Sequence, residues 1–162
     1  MVKRKITNHL AVLQSKMKRD PDAYSDEFLM QYEHLKASLK IFTNHTPKWN
    51  EELAELLLFI AHVSYKYPAS GNEFVDILES VIILPSMILS AMRTVMLNCL
   101  MLLRRKNRIE PDRLYKILFT ISQQNEASKS TYNITRKFII RDIQLVRKNT
   151  KSLDSVYLIN LS

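Results

Sequence analysis

Gly71 is the sole glycine in a chain of 162 residues. A dinucleotide fingerprint and a phosphate-cradling loop each need several glycines, so both are excluded. The same scarcity argues against a turn-rich β fold. Cysteine is equally rare. Cys99 stands alone, which rules out an internal disulfide and a cysteine metal cluster and reads as a buried side chain. His9, His34, His45 and His62 are scattered without the i, i+4 pairing of metal ligands; His62, between Ala61 and Val63, reads as a helix-packing or edge residue rather than a ligand. The serines form no nucleophile elbow, and Glu51, Glu52 and Glu55 suit the first turn and solvated face of a helix. No catalytic residue, metal site, cofactor or small-molecule substrate is expected. The basic N-terminus is followed by no hydrophobic signal core. The glycosylation-like triplets at Asn44, Asn133 and Asn160 therefore read as accidental, and the chain as intracellular and reduced.

What the chain has in quantity is apolar helix. The stretch from Leu84 to Asn107 is the most apolar. Pro85 fits a first helical turn, where its missing N–H costs nothing, and Arg104, Arg105 and Lys106 fit the last turn, facing the negative end of the helix dipole. Between them Ser86, Ser90, Arg93, Thr94 and Asn98 make one narrow polar stripe. A helix apolar over the rest of its circumference belongs between neighbours, since each such side chain left in water forfeits roughly 1.5–3 kcal/mol. Residues 80–103 are also about as long as the ~20 residues a bilayer requires. Pro85, the central Arg93 and Asn98, with Glu73, Asp76 and Glu79 upstream, weigh against that reading.

Other segments carry helical spacing too. Leu10, Leu13 and Met17 mark a short first helix, and Asp20-Pro21-Asp22 opens a second whose apolar face runs from Tyr24 to Phe42. Thr46-Pro47 opens a third, two-faced helix, which Tyr67-Pro68 and Ser70-Gly71-Asn72 are expected to end. A shorter helix follows around Phe74, Leu78 and Ile82. Glu110-Pro111-Asp112 starts another bearing Leu114, Ile117, Leu118 and Ile121. Ser122 to Ser130 reads as a loop. A last long helix carries Ile134, Phe138, Ile139, Ile143 and Val146 on its apolar face, and Leu153 to Leu161 reads as the opening of a further one. That makes about seven helices and no convincing strand. Two-faced helices in series, with helix-starting prolines at 21, 47, 85 and 111, point to an all-α helical-repeat solenoid of HEAT or armadillo type rather than a closed bundle. The expectation is one helical-repeat domain over 1–162, the N-terminal part of a longer solenoid.

The net charge of +8 is unevenly spread: +6 over residues 1–19, −7 over 20–80 and +9 over 81–162. Such polarity suits one region facing something anionic and another facing solvent or a basic partner. Lys137, Arg141, Gln144 and Lys148 recur along one helix face, flanked by Arg136 and Arg147. Arg104, Arg105, Lys106 and Arg108 add a cluster at a helix end. Together they form a candidate ridge for phosphate, which such a ridge meets without reading sequence. Exposed helix faces are often rich in Lys and Arg in any case. Aromatics interleaved with the basic groups, as for stacking single-stranded bases, are missing, so contact with shape or backbone is the expectation.

Leu13-Gln14, Lys18-Arg19-Asp20-Pro21, Tyr24, Glu27-Phe28 and Gln31-Tyr32 resemble the N-terminal signature of the severe-depolymerisation-of-actin (SDA) family. Glu52-Leu53-Ala54-Glu55-Leu56, with Phe59, Ala61, Val63-Ser64 and Tyr67-Pro68, resembles its second block. Leu102-Leu103-Arg104-Arg105-Lys106-Asn107, with Ile109 and Pro111, resembles its third. The resemblance implies a non-enzymatic factor of the nucleus and nucleolus in assembly and export of the large ribosomal subunit. It would dock on precursor particles and touch ribosomal RNA, ribosomal proteins and other assembly factors, with an indirect link to actin organisation. Family members are several times longer, and the family has no catalytic residues to carry over. The other reading is a protein–protein or nuclear transport adaptor without direct RNA contact.

Overall fold

The computed structural model describes residues 2–45, 48–84, 90–124 and 129–160. Among them are seven α-helices and no strand: α1 (Val2–Arg19), α2 (Ser25–Asn44), α3 (Glu51–Val63), α4 (Pro68–Ile82), α5 (Ser90–Arg105), α6 (Pro111–Gln123) and α7 (Lys129–Asn160), with a 3₁₀ turn at Ser64–Lys66. The odd-numbered helices pack in series, α1 on α3, α3 on α5 and α5 on α7. The even-numbered ones each pack on the next in sequence: α2 on α3, α4 on α5 and α6 on α7. Two staggered layers of this kind are the architecture of a helical repeat.

α3 and α5 form the heart of the stack, as their apolar circumference requires. Leu53, Leu57, Ile60 and Val63 of α3 are at most 1% exposed, as are Met92, Met96, Leu97 and Leu100 of α5. The polar stripe of α5 divides: Thr94 returns its hydroxyl to the Ser90 carbonyl, whereas Arg93 is buried and donates to the Leu84 carbonyl at 3.0 Å. Pro47, Pro85 and Ser86 lie outside the described residues, so the expected starts at those prolines are not described. α3 is capped by Asn50, whose Oδ1 accepts from the Leu53 N–H at 3.0 Å, the arrangement that satisfies an otherwise unpaired first-turn donor.

Three local expectations are corrected. Ser70-Gly71-Asn72 does not interrupt helix: α4 starts at Pro68 and runs through all three. Gly71 lies against the preceding turn, where a Cβ would sit 2.8 Å from the Ser64 carbonyl oxygen; it allows a close approach rather than a break. The segment from Leu153 opens no new helix, because α7 continues over 32 residues with neither proline nor glycine to stop it. Ile143 and Val146 are not core, being 44% and 45% exposed. α5 ends without glycine as well. Asn107 takes a positive φ of 54°, the Arg108 N–H reaches the Leu103 carbonyl at 2.9 Å, and the Asn107 N–H reaches that of Arg104 at 3.1 Å. This is the Schellman ending, with asparagine in the left-handed position.

Aromatic contacts tie the first helices together. The Phe28 ring stacks on Tyr67 with centroids 3.9 Å apart, and the Tyr67 hydroxyl donates to the Pro21 carbonyl at 2.9 Å. The turn before α2 is thereby fixed to the start of α4, which Tyr67 immediately precedes. Cys99 is fully buried, and burial holds its thiol far above the usual range. His62 lines a shallow cleft between α1 and α3 with Leu10 and Gln14; burial, then Lys18 and Lys106, push its pKa down.

Candidate nucleic-acid interface

α7 is two-sided. Thr135 and Asp142, seven residues apart and thus on one side, are 2% and 6% exposed, and Phe138 and Ile139 pack beside them on the core. Arg136, Lys137, Arg141, Gln144, Arg147 and Lys148 are all exposed. At 100° per residue their arc is centred roughly opposite the buried pair. The five cations therefore share an outward ridge that the rest of the fold leaves open.

The cluster at the end of α5 behaves differently from residue to residue. Arg104 turns inward, its Nε 3.3 Å from Asp142 Oδ2. Tyr115 of α6 donates its hydroxyl to the same oxygen at 2.8 Å; burial, then this contact, raise the Tyr115 pKa. One carboxylate thus joins three helices. Arg108 is half-buried and donates to the Tyr65 carbonyl at 2.6 Å. Lys106 is exposed, with Nζ 4.5 Å from the centre of the Tyr65 ring, and Arg105 is exposed. Of the four, Arg104 and Arg108 serve internal contacts, whereas Arg105 and Lys106 face outward. The Arg104–Asp142 pair sets this helix end beside the middle of α7, so two basic segments far apart in sequence meet across one contact.

Phe138, between Lys137 and Arg141 in sequence, packs on the core and offers no ring to the ridge. Two aromatics from different helices stand exposed beside it. Phe119 of α6 and Tyr132 of α7 are both exposed and line one cleft with Arg136. Phe119 lies off the Leu114–Ile117–Leu118–Ile121 face, which is the one signal that marks it in the sequence. Among the described residues no group of three or more His, Cys, Asp or Glu is placed to hold a metal ion, and no helix is long and apolar enough to cross a membrane.

Helices paired and stacked in this way, with function left to outward faces, define a repeat-based scaffold of HEAT type. Residues 59–157 match the family model described as SDA1, HEAT repeat, and the chain belongs to that family. It is similar to the Protein SDA1 homolog of Xenopus tropicalis, at 31% identity over 149 residues, 91% of this chain and 22% of the relative. The homolog from Drosophila melanogaster is 30% identical over 149 residues, 91% and 21% of the two chains. Protein sda1 of Schizosaccharomyces pombe is 28% identical over 134 residues, 77% and 18%. The chain spans about a fifth of the length of these relatives.

Proposed function

We propose that this chain is a non-enzymatic scaffold in nuclear and nucleolar biogenesis of the large ribosomal subunit, docking on precursor particles by laying the α7 ridge on ribosomal RNA phosphate. The observation that carries the reading is the ridge itself: five exposed cations opposite a buried seam. Arg105 and Lys106 extend it at the end of α5. A row of cations on a rigid rod attracts a polyanion, and displacement of condensed counterions supplies the driving force. Because these groups meet phosphate and not base edges, the ridge positions the protein without selecting sequence. Family membership supports a scaffold; the ribosomal assignment and the site residues are our own reading.

Replacing Arg136, Lys137, Arg141 and Lys148 with glutamate should release the protein from precursor particles in sedimentation at physiological salt, with its helical content and melting temperature kept. Undiminished co-sedimentation would reject the RNA-facing role.

A protein–protein or transport adaptor is the second reading, favoured by the exposure of Ile143 and Leu145 on the same helix. An apolar contact there would depend only weakly on salt, whereas phosphate contact falls steeply with it.

A further inference from the structure

Between α6 and α7 lies a cleft of about 230 Å³ walled by Phe119, Tyr132, Ile139 and Ile140, with Thr135 and Arg136. It is smaller than the about 300–1,000 Å³ typical of drug-sized ligands and cofactors, and so has room for one flat ring. Phe119 and Tyr132 are 55% and 51% exposed. Thr135 is 2% exposed, and its Oγ1 is buried with no hydrogen-bond partner. A threonine inside a helix ordinarily returns its hydroxyl to the carbonyl one turn back. A buried hydroxyl left without any partner costs free energy that a bound group can restore.

We propose that this cleft receives one unpaired base of an RNA strand whose phosphates follow the α7 ridge. The inference rests on the RNA-facing reading and adds the form of the RNA, which is single-stranded where it crosses the cleft. The base stacks on the ring of Tyr132, beside the basic track on the same helix, with Phe119 walling the cleft from α6. Arg136, at the edge of the cleft and the first cation of the ridge, holds the adjoining phosphate. As the walls part, the edge of the base reaches the Thr135 hydroxyl, which both donates and accepts and so suits any base. The ridge continues from Arg136 to Lys148 over about 18 Å of helix, a line of charge that fits a polymer of regularly repeated anions better than an isolated acidic side chain.

The test titrates the full chain with a short single-stranded RNA carrying a fluorescent aminopurine, and with a duplex of equal length at the same salt. Charge density alone favours the duplex. The proposal expects the strand to bind about tenfold more tightly, with quenching of the probe. Tyr132→Ala should remove both the preference and the quenching and leave duplex affinity unchanged, while Tyr132→Phe keeps them. Thr135→Val should weaken strand binding without lowering the melting temperature, since the hydroxyl it removes bonds to nothing in the free protein. Equal affinity for strand and duplex, or a preference untouched by Tyr132→Ala, overturns the base pocket and leaves the ridge standing. Failure to bind either RNA, with an acidic peptide bound in the cleft instead, overturns both.

Discussion

At Gly71 a methyl group has no room. Alanine there would gain roughly 0.8–1 kcal/mol of helix propensity, but its Cβ would meet the Ser64 carbonyl oxygen at 2.8 Å. That oxygen is backbone, held by a hydrogen bond from the Tyr67 N–H, and it cannot swing aside as a side chain would. Overpacking of this kind typically costs about 1–3 kcal/mol, so the clash wins. Gly71→Ala is expected to lower stability by about 1 kcal/mol in urea unfolding, and an unchanged or raised midpoint would contradict the close approach. Asn107 shows the complementary case, a left-handed position filled by a residue other than glycine. Asparagine tolerates that geometry, which is how a chain with a single glycine still ends a helix sharply.

Among elements, the joint between α5, α6 and α7 depends on one carboxylate. Asp142 accepts from both Arg104 and Tyr115, and the Arg104 and Asp142 side chains are 16% and 8% exposed. Asp142→Ala would strand both donors. A hydrogen bond to a charged group contributes about 1.5–3 kcal/mol, and the expected loss is of that size, about 2–3 kcal/mol. Asp142→Asn, which keeps an acceptor for Tyr115, should cost less; equal midpoints for wild type and Asp142→Ala would refute the joint. Nothing near Asp142 in sequence announces this role. Its partners lie 38 and 27 residues away on two other helices, so no local spacing records them. By contrast the start of α6 at Pro111 was legible, because proline in a first turn acts through its own backbone. The same locality explains the misread stop at Gly71. Its sequence neighbours resemble a turn, and the contact that requires glycine comes from another segment.

On the scale of the molecule, what could be read in advance was the periodic burial: Phe28, Tyr32, Leu35, Leu39 and Phe42 of α2 are all buried as their spacing requires. Which basic residues remain outside could not be read. Arg93, Arg104 and Arg108 turn inward, and only packing between helices decides that. The cations left outside should govern the salt response. Changing Arg136, Lys137, Arg141 and Lys148 to glutamine should flatten the slope of log affinity against log salt by about 0.7–0.9 for each phosphate no longer neutralised. Measured on a ribosomal RNA duplex, an unaltered slope would show that these side chains do not touch phosphate.

The unbroken course of α7 has one more consequence. A stiff rod works as a ruler: Lys137 and Lys148 stand about 16 Å apart along its axis, and neither can slide toward the other to suit a different partner. Adding one residue between them would swing everything beyond by about 100° and turn the far charges away from the near ones. On the RNA-facing proposal the arrangement would measure its target, and a strand too tightly coiled or too slack to match the graduation would be held at one mark only.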